Sequence, residues 1–203
     1  MNYNNGTGAT SFVHGLQGTG ANPALLSIQG ADPADFGSVT QGNPRVLLLT
    51  VENTGDVNAT GISESGLAGD YAFTAPGTYP GGGGNCTTTI SSGGTCTIEV
   101  RVIPSSTGAV TGNVILNYNN GATNTSYTHG LTTNAISPAI LAITPGPANY
   151  DYGTRPVNST NSNTFTLSNS GGSPATSIVG GGLASPFIYN GGSFPGGGTC
   201  TGT

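Results

Sequence analysis

Charged side chains are scarce in this sequence. Of its 203 residues, only 5% are Asp, Glu, Lys or Arg, against about a quarter in ordinary soluble domains. Lysine is absent, the three basic residues are Arg45, Arg101 and Arg155, and the formal net charge is -5. Because phosphate backbones are held by clustered Lys and Arg, these numbers exclude nucleic-acid binding and disfavour an anionic membrane surface.

Long apolar runs are also missing. No stretch reaches the roughly 18 apolar residues that span a bilayer, so we expect no transmembrane helix. The first residues, Met1 to Asn5, have neither the basic start nor the apolar core of a secretory signal. If the protein is exported, its signal is therefore expected outside this chain.

Short apolar runs separated by turn residues make up most of what is present. Glycine contributes 36 residues, and Asn, Pro and Asp join it in the turns. No segment has helical periodicity with caps. We expect strands near 24–29, 45–53, 58–63, 70–74, 86–90, 96–103, 112–118 and 126–131. Many short strands without helices predict an all-β sandwich or barrel.

Alternation along the predicted strands assigns side chains to the core. Leu49 and Val51 are expected to point inward. Two later strands are expected to bury Cys96, Ile98, Val100 and Val102, and Val114, Leu116 and Tyr118. Thr97, Glu99 and Arg101 are then expected on the opposite, solvent-facing side of their strand.

The sequence repeats itself over a long period. Tyr3-Asn4-Asn5-Gly6 recurs 115 residues later as Tyr118-Asn119-Asn120-Gly121, and His14-Gly15-Leu16 recurs as His129-Gly130-Leu131. After one inserted residue the offset is 116, and Leu49–Gly55 matches Phe165–Gly171. Such a period is the size of an immunoglobulin-like sandwich of about 100 residues and is too long for a solenoid turn.

The repeat predicts tandem immunoglobulin-like β-sandwich modules and divides the chain into three parts. Residues 1–21, the leading segment, are expected to be the terminal strand of a preceding module or a donor strand. Residues 22–135, the central module, are expected to be a complete sandwich. Residues 136–203, the trailing segment, are expected to be a partial sandwich. Gln17–Asn22 and Thr132–Ser137 are predicted to be short linkers.

An ordered set of motifs resembles a known family of bacterial surface modules. The set runs Pro-Ala-Leu, Phe-Gly-Ser-Val, Leu-Thr-Val-x-Asn-x-Gly, and Cys…Gly-Gly-Thr-Cys-Thr-Ile-x-Val-x-Val-x-Pro-x-x-x-Gly. It is similar to the "choice-of-anchor D" repeats and, more widely, to HYDIN-like immunoglobulin-fold modules. The matching residues are Pro23, Phe36, Gly37, Val51, Asn53, Gly55, Cys86, Cys96, Ile98, Val100, Pro104 and Gly108. The resemblance implies a seven-stranded sandwich in exported, often very long, cell-surface proteins with no shared catalytic centre.

Three cysteines are present. Cys86 and Cys96 are ten residues apart with a Gly-Gly turn between them. A metal or redox pair is one interpretation, but no further ligands have suitable spacing. A disulfide across neighbouring strands is favoured, and it would indicate an oxidising compartment. Cys200 aligns with Cys86, and its partner is expected beyond Thr203.

Other polar residues have structural interpretations. His14 and His129 occupy one repeat position between an aromatic residue and a leucine, which favours a half-buried structural histidine over a ligand or base. No acid is positioned by the sequence to orient either ring. Calcium at Asp32 and Asp35 is an alternative. The Gly81–Gly84 run lacks the features of a phosphate loop and is expected to be flexible. Asn-x-Ser/Thr sequons occur at Asn5, Asn58, Asn85, Asn124 and Asn158.

These observations favour an extracellular or cell-surface structural or adhesive repeat, as part of a stalk, fibre or filament. We expect no enzymatic activity, no cofactor and no metal. The partners would be other copies, neighbouring modules, or surface glycans or proteins. One alternative is a filament subunit that exchanges its N-terminal strand, with Tyr3, Phe12, His14 and Leu16 on the exchanged segment. Another is a carbohydrate-binding accessory module that uses Tyr71, Tyr79, Tyr150, Tyr152 or Tyr189.

Overall fold

The described residues form β-strands and turns. The computed structural model describes residues 1–146 and 149–200. Within them there is no helix, and hence none that is long and apolar enough to cross a bilayer. The strands are β1 (Asn2–Asn4), β2 (Ala9–Ser11), β3 (Leu26–Ile28), β4 (Ala34–Thr40), β5 (Arg45–Asn53), β6 (Ala59–Ser65), β7 (Tyr71–Phe73), β8 (Thr89–Ile90), β9 (Thr95–Val102), β10 (Gly108–Asn119), β11 (Asn124–Ile136), β12 (Leu141–Thr144) and β13 (Thr166–Asn169).

Two sheets form a β-sandwich, here called the central sandwich. One sheet has the strand order β4-β11-β10-β6-β8, and the other has the order β3-β5-β9-β7. Buried apolar side chains from both sheets belong to one cluster that extends from Ala24 to Leu131. Each fully buried Val, Leu or Ile stabilises such a core by about 1.5–3 kcal/mol. The predicted all-β class is confirmed.

The predicted inward faces are buried. Val51, Ile98, Val100, Val102, Val114 and Leu116 have no exposed surface, and Leu49 and Tyr118 are nearly as deep. Cys96 is only half-buried although it faces the core cluster. Thr97, Glu99 and Arg101 are also half-buried rather than fully solvent-facing, because further chain lies over this sheet.

One strand was not predicted. β4 lies between the predicted strands 24–29 and 45–53 and pairs only with β11, in parallel. Its Gly37 has a positive φ of 70°, which breaks the alternating pattern that identifies strands. The predicted strand 86–90 is also shorter than expected, because only Thr89–Ile90 pairs with β6.

Two antiparallel strand pairs lie outside the two sheets of the central sandwich. β1 and β2 form a hairpin in the leading segment, and β12 and β13 pair across a long connection in the trailing segment. Most side chains of both pairs are exposed. The expected linker 132–137 is wrong as far as Ile136, because β11 continues to that residue and pairs there with Thr40 of β4.

Candidate interaction site

A buried asparagine connects three parts of the central sandwich. Asn53, at the end of β5, has no exposed surface. Its Oδ1 accepts the backbone N–H groups of Leu25 and Gly55, each at 3.1 Å. Its Nδ2 donates to the carbonyl oxygens of Val57 at 2.9 Å and Ile90 at 3.2 Å. The carboxamide thus satisfies the buried backbone groups of Gly55 and Ile90 and the part-buried groups of Leu25 and Val57.

The trailing segment repeats this arrangement. Asn169 Oδ1 accepts the N–H groups of Ile140 and Gly171, each at 3.0 Å, and its Nδ2 donates to the Ser173 carbonyl at 2.8 Å. Leu141 pairs with Asn169 as Leu26 pairs with Asn53. The strand register and three of the side-chain hydrogen bonds of Asn53 therefore recur at offsets of 115 and 116 residues, whereas its bond to Ile90 does not.

The leading hairpin has the same correspondence. Tyr3 pairs with Thr10, and 115 residues later Tyr118 pairs with Thr125. In both hairpins an asparagine Oδ1 at the turn accepts two backbone N–H groups. Tyr118 is buried against the rest of the central sandwich, whereas Tyr3 is exposed. The two hairpins share this register next to the turn, but β1–β2 is much shorter than β10–β11 and is not covered.

The end of β11 forms a junction with the trailing segment. Ser137, directly after β11, accepts the Ser173 N–H at its carbonyl oxygen, 2.9 Å away. The hydroxyls of Ser173 and Thr40 are hydrogen-bonded at 2.6 Å. The Gln41 N–H donates to the Ile136 carbonyl at 2.8 Å. The chain therefore passes from one set of contacts to the next with no intervening linker residue.

The beginning of the central sandwich has equivalent contacts. The N–H and the Nδ2 of Asn22 donate to Asp56 Oδ2 at 2.9 and 2.7 Å. The Asp56 N–H donates back to the Asn22 carbonyl at 3.1 Å. Asn22 and Ser137 lie at an offset of 115 residues. Asn22 is bonded to the turn after β5, and Ser137 is bonded to the turn after β13.

The predicted exchange segment lies in the open. Tyr3 belongs to β1, and Phe12, His14 and Leu16 follow β2. All four side chains are exposed, Leu16 at 89% of its surface. The rings of Phe12 and His14 are stacked with centroids 6.3 Å apart. The leading segment exposes apolar side chains, and its sequence is similar to that of β11, whose Leu131 is buried. These features make the segment a candidate for docking, but the exchange of this strand between chains stays a prediction.

The two repeated histidines have different surroundings. His14 is exposed, so the half-buried prediction is wrong for it, whereas His129 in β11 is 1% exposed. His129 Nδ1 lies 3.1 Å from the Tyr127 hydroxyl and 3.8 Å from Asp32 Oδ2. No local sequence pattern predicts this acid as a neighbour of His129, because Asp32 is far away along the chain. Asp32 Oδ1 accepts the Gly130 N–H at 2.8 Å, so the carboxylate orients backbone as well as ring.

The predicted disulfide is present. Cys86 and Cys96 are bonded with their Cα atoms 4.9 Å apart, and the bond joins the chain before β8 to β9. Cys200 is a half-buried free cysteine. Its expected partner lies outside the described residues. A disulfide indicates an oxidising compartment.

The glycine run is not a loose loop. Glu99 on β9 accepts the Gly83 N–H at 2.9 Å and a hydrogen bond from the Thr74 hydroxyl. A Cβ at Gly81, whose φ is 87°, would collide with the Glu99 carbonyl oxygen. The run needs glycine for this close approach to β9, so the expectation of a flexible loop is wrong.

The remaining candidate sites show little chemistry. No group of three or more potential metal-ligating side chains occurs within residues 1–146 and 149–200. Among the tyrosines proposed for sugar binding, Tyr71 fills the core, and only Tyr150 is largely exposed.

Burial raises the pKa of three groups above their ordinary values, namely Tyr71, Tyr79 and Glu64. A polar groove of about 550 Å³ crosses β6, β10 and β11. The sequon asparagines Asn5, Asn58, Asn85, Asn124 and Asn158 are all exposed.

Comparison with known proteins gives likeness at the level of fold alone. No family model and no curated protein sequence matches the chain. The ASH/PapD-like domain 7 of human CEP192 overlaps 64% of this chain and 98% of its own, with 16% identity and a TM-score of 0.43. The secreted serine protease VesC from Vibrio cholerae overlaps 55% of this chain at 18% identity and a TM-score of 0.41. The VesB protease of the same organism overlaps 56% at 15% identity and a TM-score of 0.40. This chain spans only 23% and 32% of the two proteases.

Proposed function

We propose that the chain is part of an exported, non-catalytic array of tandem β-sandwich modules that serves as a stalk or fibre at the cell surface. The observation that carries this proposal is the junction after β11. Ile136 still pairs with Thr40, and the next residue, Ser137, already bonds to Ser173. Modules joined in this way hold a fixed spacing, which suits a stalk.

The repeated contacts support the tandem arrangement. The Asn53 and Asn169 hydrogen bonds, and the β3–β5 and β12–β13 registers, recur at the offset found in the sequence. A repeat of this length matches one immunoglobulin-like sandwich. Neighbouring modules of the same chain are therefore the first partners proposed for these surfaces.

The proposed location has two supports. The Cys86–Cys96 disulfide fits an oxidising compartment outside the cytoplasm. The scarcity of charge and the Thr- and Asn-rich surface fit a passive exposed face. Adhesion to surface glycans or proteins is a further role proposed for such a face.

The fixed geometry of the junction can be tested by measuring the distance between two nitroxide spin labels, one on each side of it. Nitroxide labels at Asn113 on β10 and Ser170 after β13, in a Cys200→Ser background, should give one narrow distance distribution. Inserting Gly-Ser-Gly-Ser between Ile136 and Ser137 should broaden it, because the strand and the hydrogen bonds no longer fix the two parts. The same insertion between Gly121 and Ala122, in a hairpin turn, is the matched control. A broad distribution in the parent chain would contradict a stalk built on this junction.

A further inference from the structure

One edge of the four-stranded sheet of the central sandwich is only partly covered. β3 pairs with residues 51–53 of β5, and the Gln29 N–H donates to the Thr50 carbonyl at 2.9 Å. Residues 45–49, the first half of β5, pair with β9 on one side and, among the described residues, with no strand on the other. Residues 45–49 are here called the open edge.

The backbone groups of Val46 and Leu48 point away from β9. Leu48 pairs with Glu99 on β9. Glu99 donates its N–H to the Pro80 carbonyl at 2.8 Å and accepts the Thr74 N–H at 3.3 Å, so it faces away from β5. Because paired residues of an antiparallel ladder bond either to each other or both outward, Leu48 faces outward, and so does Val46 two residues earlier. In the part of the chain that the structure describes, no hydrogen bond from outside the β5–β9 ladder reaches the N–H or C=O of either residue.

The side chains of the same two residues are apolar and exposed. Val46 is 47% exposed and Leu48 is 52% exposed, on the outer face of the sheet. At the offset of 116 residues their counterparts are Ser162 and Thr164, whereas the inward-facing positions of the strand stay apolar. The repeated fold therefore does not need apolar residues at these two outer positions. Unpaired backbone groups beside exposed apolar side chains favour pairing with another strand.

The other edges of the two sheets are short or irregular. β3 and β7 have three residues each, and β8 has two. β4 has a shifted register against β11 and a glycine, Gly37, with a φ of 70°. Short and irregular edges are poor templates for a further strand. The β5–β9 register, by contrast, runs from Arg45 to Glu52 without a shift, so the open edge is a regular template.

We propose that the open edges of two copies of this chain pair antiparallel, with a twofold axis at Val46. β5 begins directly after Pro44, and β3 with Gln29 occupies the edge from Thr50 onward, so Val46 lies at the centre of the free stretch. Antiparallel pairing about a twofold axis makes one surface complementary to itself, which is why a second copy fits.

This register uses the free backbone groups. The two Val46 residues exchange both of their backbone hydrogen bonds, and each Leu48 N–H donates to the Pro44 carbonyl of the other copy. Arg45 is the only charged residue of the open edge. It lies opposite Leu47 of the other copy, so the pairing places no like charges directly opposite each other.

The contact is small. Residues 45–49 of two copies bury less than the roughly 1,600 Å² of a standard stable interface. We therefore expect a weak dimer, with a dissociation constant on the order of 0.1 mM. The pairing goes beyond the proposed stalk, which does not depend on it.

Disulfide crosslinking at the axis tests the register. In a Cys200→Ser background, Val46→Cys places two thiols opposite each other with Cα atoms about 5.5 Å apart, a distance that a disulfide spans. It should give a covalent dimer on a non-reducing gel. Leu48→Cys is the matched control, because its exposure is similar but its two thiols would lie about 14 Å apart along the strands. Equal dimer yields from the two variants, or no dimer from Val46→Cys, would overturn the proposal.

Mass in solution gives an independent readout. In sedimentation equilibrium, the weight-average mass should rise from the 19.9 kDa of one chain at about 0.01 mM towards twice that value at about 1 mM. Val46→Lys should stay monomeric at both concentrations, because two like charges would lie opposite each other at the axis. Leu25→Lys, at a similarly exposed position away from the open edge, is the matched control and should dimerise like the parent. A parent chain that stays monomeric at about 1 mM, or a Val46→Lys variant that still dimerises, would rule the pairing out.

The two proposals can fail separately. A monomeric chain with a narrow Asn113–Ser170 distance distribution removes the pairing and leaves the stalk in place. A dimer with a broad distribution removes the fixed junction and keeps the pairing. The lysine variants should keep the urea midpoint of the parent, since neither Val46 nor Leu25 belongs to the core cluster.

Discussion

Asn53 shows how a single side chain holds the central sandwich together. Asn53→Ala would leave the part-buried N–H of Leu25 and the buried N–H of Gly55 without their acceptor. Each unsatisfied buried group costs about 1–3 kcal/mol. We expect the free energy of unfolding to fall by roughly 2–4 kcal/mol, measured by urea denaturation. Asn43→Ala, at an exposed turn, should stay within about 0.5 kcal/mol of the parent. A loss no larger than this control would contradict the role of Asn53.

Tyr71 makes stability depend on alkaline pH. Burial, assisted by the charges of Asp70 and Asp35, raises the pKa of its phenol from 10.0 to about 12. Because the folded pKa exceeds the unfolded one, the stabilisation is complete below pH 10 and is lost as the pH rises towards 12. The loss should approach about 2–3 kcal/mol. Tyr71→Phe should reduce the slope of this part of a stability–pH curve, to which the buried Tyr79 also contributes, whereas Tyr3→Phe, at an exposed position, should not. An unchanged alkaline slope in Tyr71→Phe would contradict the assignment.

At the scale of elements, the strands that were predicted have a clear local pattern of residues. The strand that was not predicted depends on a partner far away along the chain. β9 alternates apolar and polar residues, and its inward face was predicted from that pattern. β5 has four consecutive apolar residues, so its inward face was predicted from the matching stretch of the trailing segment, where Phe165 and Leu167 alternate with polar residues. β4 was missed because glycine interrupts its pattern and its partner, β11, lies about 100 residues later. The Asp32–His129 contact was not predicted for the same reason, since no local pattern of residues indicates a contact between residues so far apart in the chain.

The disulfide ties the chain before β8 to β9. Replacing Cys86 and Cys96 together by Ser should lower the free energy of unfolding by about 2–3 kcal/mol, because a ten-residue loop is no longer closed in the unfolded chain. In the parent chain the Cys86 N–H bonds to the Thr97 carbonyl at 3.1 Å. In the double variant the N–H of residue 86 should exchange faster with deuterium. Cys200→Ser is the control and should leave both measurements unchanged. Equal unfolding midpoints in the double variant and the parent would contradict this prediction.

At the scale of the whole molecule, β11 has two roles. Along most of its length it completes the core through His129 and Leu131, and at its end it leads directly into the trailing segment at Ser137. Among the described residues, β1, β2, β12 and β13 contribute no side chain to the central core cluster. The hydrogen bonds between Ser137 and Ser173 and between Thr40 and Ser173 connect the central sandwich to the trailing segment.

This division predicts which fragment folds. Residues 22–136 contain every member of the core cluster and lose only the junction contacts, such as the hydrogen bond between Thr40 and Ser173. The fragment should therefore unfold cooperatively in urea within about 1.5 kcal/mol of the full chain. Residues 22–123 lack β11, which removes Leu131 from the core and leaves β4 with no pairing partner. That shorter fragment should give the collapsed amide spectrum of an unfolded chain. An unfolded 22–136 beside a folded full chain would mean that the flanking segments stabilise the core through contacts other than the junction.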